Sequence, residues 1–454
     1  MPVSPIEYRY GRKEIKSIFT DKSRLRYMLR VEGALAYGEW KNGLIPEKAY
    51  RDISDAVSSG RVNISRVNEI EKETKHDVMA MIRALTEQCG TGGAYVHYGV
   101  TSNDILDTAT ALQLKDFYSY LLSDLIALQS ALMELVVRYR DSVMVGRTHG
   151  QQASPITFGL KMSVYLNEVG RHIERAIETR KRVLVGKILG PVGTGAALGE
   201  KALQVQESVM EFLEIGAEDG ATQVVDRDRY IEYLQLISNI ATSLEKFATE
   251  IRNLQRTEID EVSEYFDSKN QVGSSSMPSK RNPVESENVC SLARFIRSMV
   301  YPEYEAAVTW HERDLTNSAL ERFTIPYSSV LIDYILVKTT NIFSKLSVNS
   351  ERMRSTALSN ELAMSENIVK LLVARGMPRQ EAHELVRLSA MESLATRKKL
   401  SETILGKTEI LAPDELRNAM KPELFIGAAG AICDRSVRSA KEIRKSLEDE
   451  VFAR

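Results

Sequence analysis

A short loop of small and polar residues holds the densest group of side chains able to do chemistry. Residues 273–283 read GSSSMPSKRNP, with three consecutive serines, a lysine and an asparagine. A Gly/Ser-rich segment is often only a flexible connection, but such a connection has no need of a lysine, an asparagine or a Met-Pro pair. A run of backbone N–H groups beside a lysine binds an oxyanion. The loop therefore suits a reaction in which negative charge develops.

Three further polar islands carry histidines and arginines. They are KHDV (75–78) with VHYGVTSND (96–104), GRTHGQQA (146–153) and WHERDLTNSALERF (310–323). Histidine exchanges a proton near neutral pH, so these islands supply candidates for acid–base and substrate-binding groups.

The last island has the composition of a phosphate clamp. The stretch RDLTNSALER contains Arg313, Ser318 and Arg322. Two guanidiniums and a hydroxyl match a phosphate through bidentate, charge-assisted hydrogen bonds. The alternative is that both arginines form ion pairs with Asp314 or Glu321 on a solvated helix.

Very long helices must position these islands. Residues 100–145, 221–272 and 327–375 contain neither Gly nor Pro, whereas a strand-based fold needs turns within such distances. Apolar residues at helical spacing agree with this prediction. They are Leu114, Phe117, Leu121, Leu125, Leu128, Leu132 and Leu135, then Leu234, Ile237, Ala241, Leu244, Ala248 and Ile251. No segment alternates convincingly with a period of two. The pattern predicts an all-α fold with a central bundle of very long helices.

Three helical domains are expected along the chain. Residues 1–100 form an N-terminal domain of short helices, and residues 101–350 form the long-helix bundle. Residues 351–454 form a C-terminal helical domain punctuated by Gly and Pro.

Composition argues against several classes of protein. The 60 Lys and Arg residues nearly balance 62 Asp and Glu residues, so no global field favours nucleic acid or a membrane surface. The first residues lack the apolar stretch of a secretory signal, and charged residues interrupt the apolar tract 120–137. Three scattered cysteines form no CxxC pair. We expect a cytoplasmic protein with no metal, cofactor, nucleic-acid partner or membrane partner.

The loop sequence resembles the signature GSSxMPxKxNP of the fumarase/aspartase superfamily at every fixed position. Ser279, where relatives often carry histidine or tyrosine, is a variable position of that signature. The other islands resemble the conserved regions of the adenylosuccinate lyase family within this superfamily. The matching residues are His76, Asp77, His97, Thr101, Ser102, Thr148, His149, the pair Arg9 and Tyr10, and the clamp RDxxxSxxxR. Fumarase, aspartase and argininosuccinate lyase have no phosphate on their substrates, so the clamp favours the adenylosuccinate lyases.

The resemblance implies a β-elimination that releases fumarate from adenylosuccinate, and from the related imidazole nucleotide SAICAR. It makes Ser274 the base, Lys280 with Asn282 the stabiliser of the aci-carboxylate, and His149 the general acid oriented by Glu287. A serine hydroxyl is a poor base unless ionised, so loop closure and Lys280 must lower its pKa. It also implies a homotetramer whose active sites combine regions from three chains.

The remaining matched residues are expected to contact the substrate. They are Arg9, Tyr10, His76, Asp77, His97, Thr101, Ser102, Thr148, Gln223, Ser275, Arg281, Asn282, Asn288, Arg313, Ser318 and Arg322. Gln223 rests on a loose local motif.

Several alternatives stay open for single residues and for the whole chain. His149, His76 and His97 have structural interpretations as capping or core histidines, and His172 and His383 are assigned no function. The Gly-rich stretch 190–201 lacks the GK[ST] ending of a nucleotide P-loop. The other functions considered are argininosuccinate lyase, a carboxymuconate cycloisomerase, a catalytically dead relative and a helical scaffold.

Overall fold

The computed structural model of the chain describes residues 3–267 and 269–452, with side chains through residue 447. Nineteen α-helices lie within these residues: α1 Pro5–Tyr8, α2 Lys13–Ile18, α3 Asp21–Lys41, α4 Glu47–Ser58, α5 Ile64–Thr74, α6 Asp77–Thr86, α7 Ser102–Arg138, α8 Phe158–Val183, α9 Ala202–Leu213, α10 Asp228–Leu254, α11 Val284–Ser298, α12 Val300–Ala306, α13 Thr316–Ser344, α14 Ser350–Ser359, α15 Ser365–Ala374, α16 Arg379–Thr396, α17 Leu400–Leu405, α18 Pro413–Ala419 and α19 Ala429–Phe452. The prediction of an all-α fold is confirmed.

Short 3₁₀-helices and strands connect the α-helices. The 3₁₀-helices are Gly90–Tyr95, Ala196–Lys201, Glu361–Met364 and Pro422–Leu424. The strands form three two-stranded sheets: β1 Val143–Thr148 with β2 Gln151–Thr157, β3 Val185–Gly186 with β4 Gly216–Ala217, and β5 Val262–Ser263 with β6 Ser347–Val348. The middle pair is parallel and the other two pairs are antiparallel.

The apolar stripes predicted from the sequence are buried. Every position of the stripe in α7, from Leu114 to Leu135, is at most 4% exposed, and the stripe in α10 is buried as completely. By length and composition α7 also qualifies as a membrane-spanning helix, a property that a buried core helix shares. The periodic pattern of α7 therefore reports a helix with a buried face.

Glycine and proline proved weaker helix boundaries than expected. The third tract free of both is divided among several helices, and α13 begins upstream of it and passes through Pro326. The N-terminal region also contains the 21-residue helix α3, which includes Gly38. A Cβ at Gly38 would lie 2.7 Å from Val209 Cγ2 and 3.0 Å from the Val205 carbonyl oxygen in α9. Close helix packing thus requires this glycine, and the packing holds the helix together.

The β1–β2 hairpin was not predicted from the sequence. Residues 143–146 of β1 are all buried, so the strand does not alternate between a buried and an exposed face. A fully buried strand has no period of two in its sequence. The pairing register shifts between Val145 and Arg147.

The chain forms two compact units, each built from three separate segments. The first unit contains the residues up to 125 together with 172–244 and 291–337, and the second contains 126–171, 245–290 and the residues from 338 onward. The first unit includes an edge-on contact between Phe117 and Tyr233, with ring centroids 6.2 Å apart. The predicted domain boundaries near residues 100 and 350 stay predictions.

The second unit has its own apolar core. The rings of Tyr165 and Phe247 stack at 4.2 Å, and Phe343 packs edge-on against both. A separate cluster lies among its C-terminal helices: Ile368, Leu372, Ala382, Val386, Leu400, Ile404, Leu411 and Leu416. All eight side chains are at most 4% exposed.

A fully buried ion pair joins Asp104, in the first turn of α7, to Lys187 just after β3. The Asp104 carboxylate also accepts hydrogen bonds from the backbone N–H groups of Thr101 (2.7 Å), Leu189 (3.1 Å) and Gly190 (3.0 Å). The Lys187 ammonium donates to the carbonyl of Gly190 at 3.1 Å. Because these partners satisfy both charges, the pair is tolerated in the core.

We expect Lys187→Ala to lower the free energy of unfolding by about 3–5 kcal/mol, because it leaves the Asp104 carboxylate buried without its counter-charge. Urea unfolding at one fixed protein concentration measures the change. Lys41→Ala is the matched control, since Lys41 pairs with Glu211 at the surface and its loss should change little. Equal effects of the two substitutions would contradict a structural role for the buried pair.

Candidate active site

The C-terminal end of the loop at 273–283 is held by hydrogen bonds to the buried Glu264 and the half-buried Gln255. The Glu264 carboxylate accepts from the backbone N–H groups of Glu285 (3.2 Å) and Ser286 (2.7 Å), and so caps the start of α11. Gln255 donates to the carbonyl of Arg281 at 3.2 Å and accepts from the N–H of Glu264 at 2.9 Å. Burial raises the pKa of Glu264, although its hydrogen bonds oppose that shift. The C-terminal end of the loop is therefore fixed.

The loop closes on itself around Gly273. A Cβ at Gly273 would lie 2.0 Å from the carbonyl oxygen of Lys280, so only glycine fits there. The Asn282 amide donates to the carbonyl of Gly273 at 3.1 Å. Pro283 directly precedes α11, as expected from the sequence.

Within this loop the hydroxyl of Ser274 faces backbone donors. Its Oγ accepts from the N–H groups of Ser276 (3.3 Å) and Met277 (3.2 Å). Hydrogen bonds donated to an oxygen stabilise its ionised form. The Lys280 side chain is exposed and makes no hydrogen bond or ion pair with other described residues. The loop thus offers the Ser274 hydroxyl, which accepts two backbone hydrogen bonds, and the exposed ammonium of Lys280.

His149 occupies the turn of the β1–β2 hairpin. Its φ is 54° and its side chain is exposed. Beside it, Arg147 is anchored by two hydrogen bonds of 2.8 and 2.7 Å to the buried Glu261. A left-handed backbone at a non-glycine residue is uncommon, and such residues concentrate at functional sites. No hydrogen bond joins His149 to Ser274 or to the exposed Glu287 among the described residues.

His97 is held by a single buried carboxylate. Glu32 accepts from the backbone N–H of His97 at 3.1 Å, and its other oxygen lies 2.7 Å from the His97 Nδ1. Burial alone lowers the pKa of His97, but the hydrogen bond and charge of Glu32 outweigh it and leave the pKa raised. The His97 ring therefore presents its remaining nitrogen in a fixed orientation.

His76 has a structural contact of its own. It is the N-cap of α6, and its Nδ1 accepts from the N–H of Met79 at 3.3 Å. Asp77 follows in the first helical turn, where the Asp77 carboxylate faces two arginines.

The three clamp residues line one cavity of about 220 Å³ in the first unit. Arg313 donates to the side-chain oxygens of Asn103 (2.6 Å) and Gln223 (2.8 Å), whereas Arg322 is 61% exposed. Neither arginine forms an ion pair with Asp314 or Glu321 in the described part of the chain. Glu321 pairs instead with Arg227. The clamp residues are therefore brought together, and Gln223 lies beside them.

Asp107 anchors the segment that carries Gln223. Its carboxylate accepts from the N–H of Val225 at 2.8 Å and from two guanidinium nitrogens of Arg227 at 2.7 and 3.0 Å. Asn103 and Asp107 both belong to the first turns of α7, so this helix positions the Arg313–Gln223 pair.

The segment that carries Arg9 and Tyr10 is anchored by the nearby Arg12. The Arg9 guanidinium lies 5.9 Å from the Tyr10 ring centroid. Two residues further on, Arg12 pairs with Asp124 at 2.6 Å and with Asp333. Arg12 thereby ties the segment bearing Arg9 and Tyr10 to the first unit.

The remaining predicted residues lie in less organised positions. Thr148 and Ser275 are exposed, and the Arg281 guanidinium lies 5.2 Å from the Phe266 ring centroid. The amide oxygen of Asn288 is buried and has no hydrogen-bond partner among the described residues. Thr101 directly precedes α7 and Ser102 is its first residue, and the Asp104 carboxylate accepts from the Thr101 N–H.

One basic residue of the clamp cavity was missed from the sequence. Arg24 of α3 lines the cavity, and its Nη2 lies 3.6 Å from the Asp77 carboxylate. It stands far along the chain from the clamp motif and has Arg26 and Arg30 as neighbours. No spacing in the sequence therefore distinguishes Arg24 from its neighbours.

Within the described chain, no group of three or more His, Cys, Asp or Glu side chains is arranged to hold a metal ion.

Comparisons with known proteins agree with the motifs. A sequence family described as Lyase matches residues 7–297, and one described as Adenylosuccinate lyase C-terminus matches residues 361–436. The chain is 43% identical over 447 residues to the adenylosuccinate lyase of Methanothermobacter thermautotrophicus, which covers 97% of this chain and 100% of that protein. It is 44% identical over 449 residues to that of Pyrococcus abyssi, with 98% and 99% covered.

Solved structures of related enzymes share the fold. The crystal structure of 3-carboxy-cis,cis-muconate lactonizing enzyme from Pseudomonas putida matches with a TM-score of 0.87 at 29% identity, covering 97% of this chain and 99% of that one. A fumarate lyase from Mesorhizobium sp. BNC1 matches with the same TM-score and identity, covering 96% and 99%. Because its relatives above 40% identity are matched over nearly their whole length, the chain belongs to the adenylosuccinate lyase family and is a carbon–nitrogen lyase.

Proposed function

We propose that the chain removes fumarate from adenylosuccinate to leave AMP, and from SAICAR to leave AICAR, in purine nucleotide synthesis. The cavity shared by Arg313, Ser318 and Arg322 carries this proposal. Guanidiniums and a hydroxyl around a small cavity suit the phosphate of a nucleotide. A muconate is a carboxylic acid without a phosphate, so a site for it has no use for this clamp.

The elimination assigns one role to each candidate catalytic group. Ser274 removes a proton from the carbon next to a carboxylate of the succinyl group, and the N–H donors at its Oγ favour the ionised hydroxyl. Lys280 and the loop N–H groups hold the aci-carboxylate that forms. The C–N bond then breaks, and His149 donates a proton to the departing nitrogen while Glu287 orients the imidazole.

The proposed assembly is a cytoplasmic homotetramer with shared active sites. The absence of a His149–Ser274 contact in the described chain is consistent with the two residues meeting across subunits. The first unit also exposes large apolar side chains that a second copy could cover. They are Phe295, Tyr301, Tyr304, Val308, Trp310, Leu315 and Phe323. The three cysteines are buried free thiols, which suits a reducing compartment.

Purified protein should convert adenylosuccinate to AMP and fumarate, because the clamp accepts the nucleotide phosphate. The ultraviolet change on elimination measures the rate, and SAICAR tested in parallel should also react. Argininosuccinate, which has no phosphate, is the control and should not react. Turnover of argininosuccinate without turnover of adenylosuccinate would overturn the substrate assignment.

His149→Ala and Ser274→Ala should each reduce kcat by about 10²–10⁴-fold, the usual effect of losing a general acid or base. Steady-state kinetics on folded variants measures the loss. His383→Ala and Ser279→Ala are matched controls on exposed residues, and both should keep wild-type rates. A smaller loss for Ser274→Ala than for Lys280→Ala would reduce the serine to a loop hydroxyl.

Mixed oligomers of two inactive variants should recover activity if sites are shared. His149→Ala and Ser274→Ala chains are unfolded together, mixed equally and refolded. Because each site draws its histidine and its serine from different chains, about a quarter of the sites should be intact after random assembly. If activity stays absent although subunit exchange is demonstrated, both residues act within one chain.

A further inference from the structure

We infer that Arg24 is a third phosphate-binding guanidinium of the clamp cavity, and that Asp77 holds it beside Arg322 until the phosphate binds. The inference rests on the proposed function of that cavity. It adds a residue from α3 that lies outside every motif of the sequence.

The first observation is that Arg24 and Arg322 make only long contacts with the carboxylate they share. Arg24 Nη2 lies 3.6 Å and Arg322 Nη2 lies 3.7 Å from the same Oδ2 atom of Asp77. A charge-assisted N–H···O hydrogen bond is normally about 2.7–2.9 Å long. One carboxylate oxygen is therefore shared at long range between two cations, and neither receives a full hydrogen bond from it.

The second observation is the surplus of positive charge around the cavity. Three arginines line it, Arg24, Arg313 and Arg322, against two carboxylates, Asp21 and Glu321, and Glu321 is already paired with Arg227. Burial and the nearby Arg322 lower the pKa of Arg24, and Asp77 opposes that shift. Cations crowded in this way are relieved by an anion, and a phosphate dianion has enough oxygens to bind all three.

The third observation is that both Arg24 and Asp77 stand on helices with fixed starts. Thr20 caps α3 by accepting from the N–H of Ser23 at 3.3 Å, one residue before Arg24. His76 caps α6 directly before Asp77. The backbone at both residues is therefore anchored, and only the side chains have to be ordered when a phosphate enters.

Arg24 then acts in recognition and leaves the chemical step unchanged. The phosphate is remote from the bond that breaks, and its contacts persist from the bound substrate to the transition state. Loss of such a contact raises KM and leaves kcat almost unchanged. It also reduces the preference for a phosphorylated ligand over its nucleoside.

The test compares AMP with adenosine as competitive inhibitors of Arg24→Gln, Arg322→Gln and the control Arg26→Gln. Arg26 is an exposed arginine on the same helix outside the cavity. We expect Arg24→Gln to weaken inhibition by AMP about tenfold or more, the worth of a charge-assisted hydrogen bond. Inhibition by adenosine and the value of kcat should stay the same, and Arg26→Gln should match the wild type.

The outcomes separate this inference from the proposed function. If only Arg322→Gln weakens AMP binding, the role of Arg24 is overturned and the phosphate site stands. If neither variant weakens it, the phosphate site itself is wrong and the inference falls with it.

A measurement on the wild-type chain covers the case in which Arg24→Gln does not fold. Phenylglyoxal modifies accessible arginines, and peptide mapping follows each one separately. AMP should slow modification of Arg24, whereas adenosine should not. Equal modification of Arg24 with and without saturating AMP would overturn the inference.

Discussion

The buried pair of Asp104 and Lys187 fixes the geometry on which the first unit depends. A carboxylate taken from water into a protein core is tolerated only when charge and hydrogen bonds replace its solvation. Asp104 meets that requirement by gathering Lys187 and the N–H groups of Thr101, Leu189 and Gly190 around the start of α7. The hydrogen bonds and the ion pair that the buried Asp104 carboxylate requires therefore fix the start of α7, where the candidate substrate residues Thr101 and Ser102 lie. Asn103 and Asp107 extend the arrangement to Arg313 and Gln223.

The sequence predicted those parts of the fold that leave a periodic signal. The stripes of α7 and α10 are buried as expected, because a helix with a buried face repeats its apolar residues every three or four positions. The β1–β2 hairpin leaves no such signal, since β1 is buried on both faces. The tract 327–375 was expected to form a very long helix, yet it is divided among several helices, and α13 enters it through Pro326. Tertiary packing overrides local preference at such places.

The sequence predicted those residues of the candidate site that belong to recognisable motifs. Arg313, Ser318 and Arg322 lie close together in sequence and share one cavity, and Gln223 joins them from a loose motif. Arg24 reaches the cavity only through the packing of α3, which no spacing in the chain encodes. The clamp residues and Gln223 belong to the first unit, whereas His149 and the 273–283 loop belong to the second.

The cap that Glu264 places on α11 has a consequence for the entropy of loop closure. Ordering one residue of backbone costs about 1–2 kcal/mol at room temperature. Because Glu264 and Gln255 already hold the segment at Arg281, Glu285 and Ser286, those residues lose little freedom when the loop closes over a ligand. Only the loop residues before Arg281 have to be ordered. The entropic cost that is subtracted from the binding free energy of the substrate is then smaller than the length of the whole loop suggests.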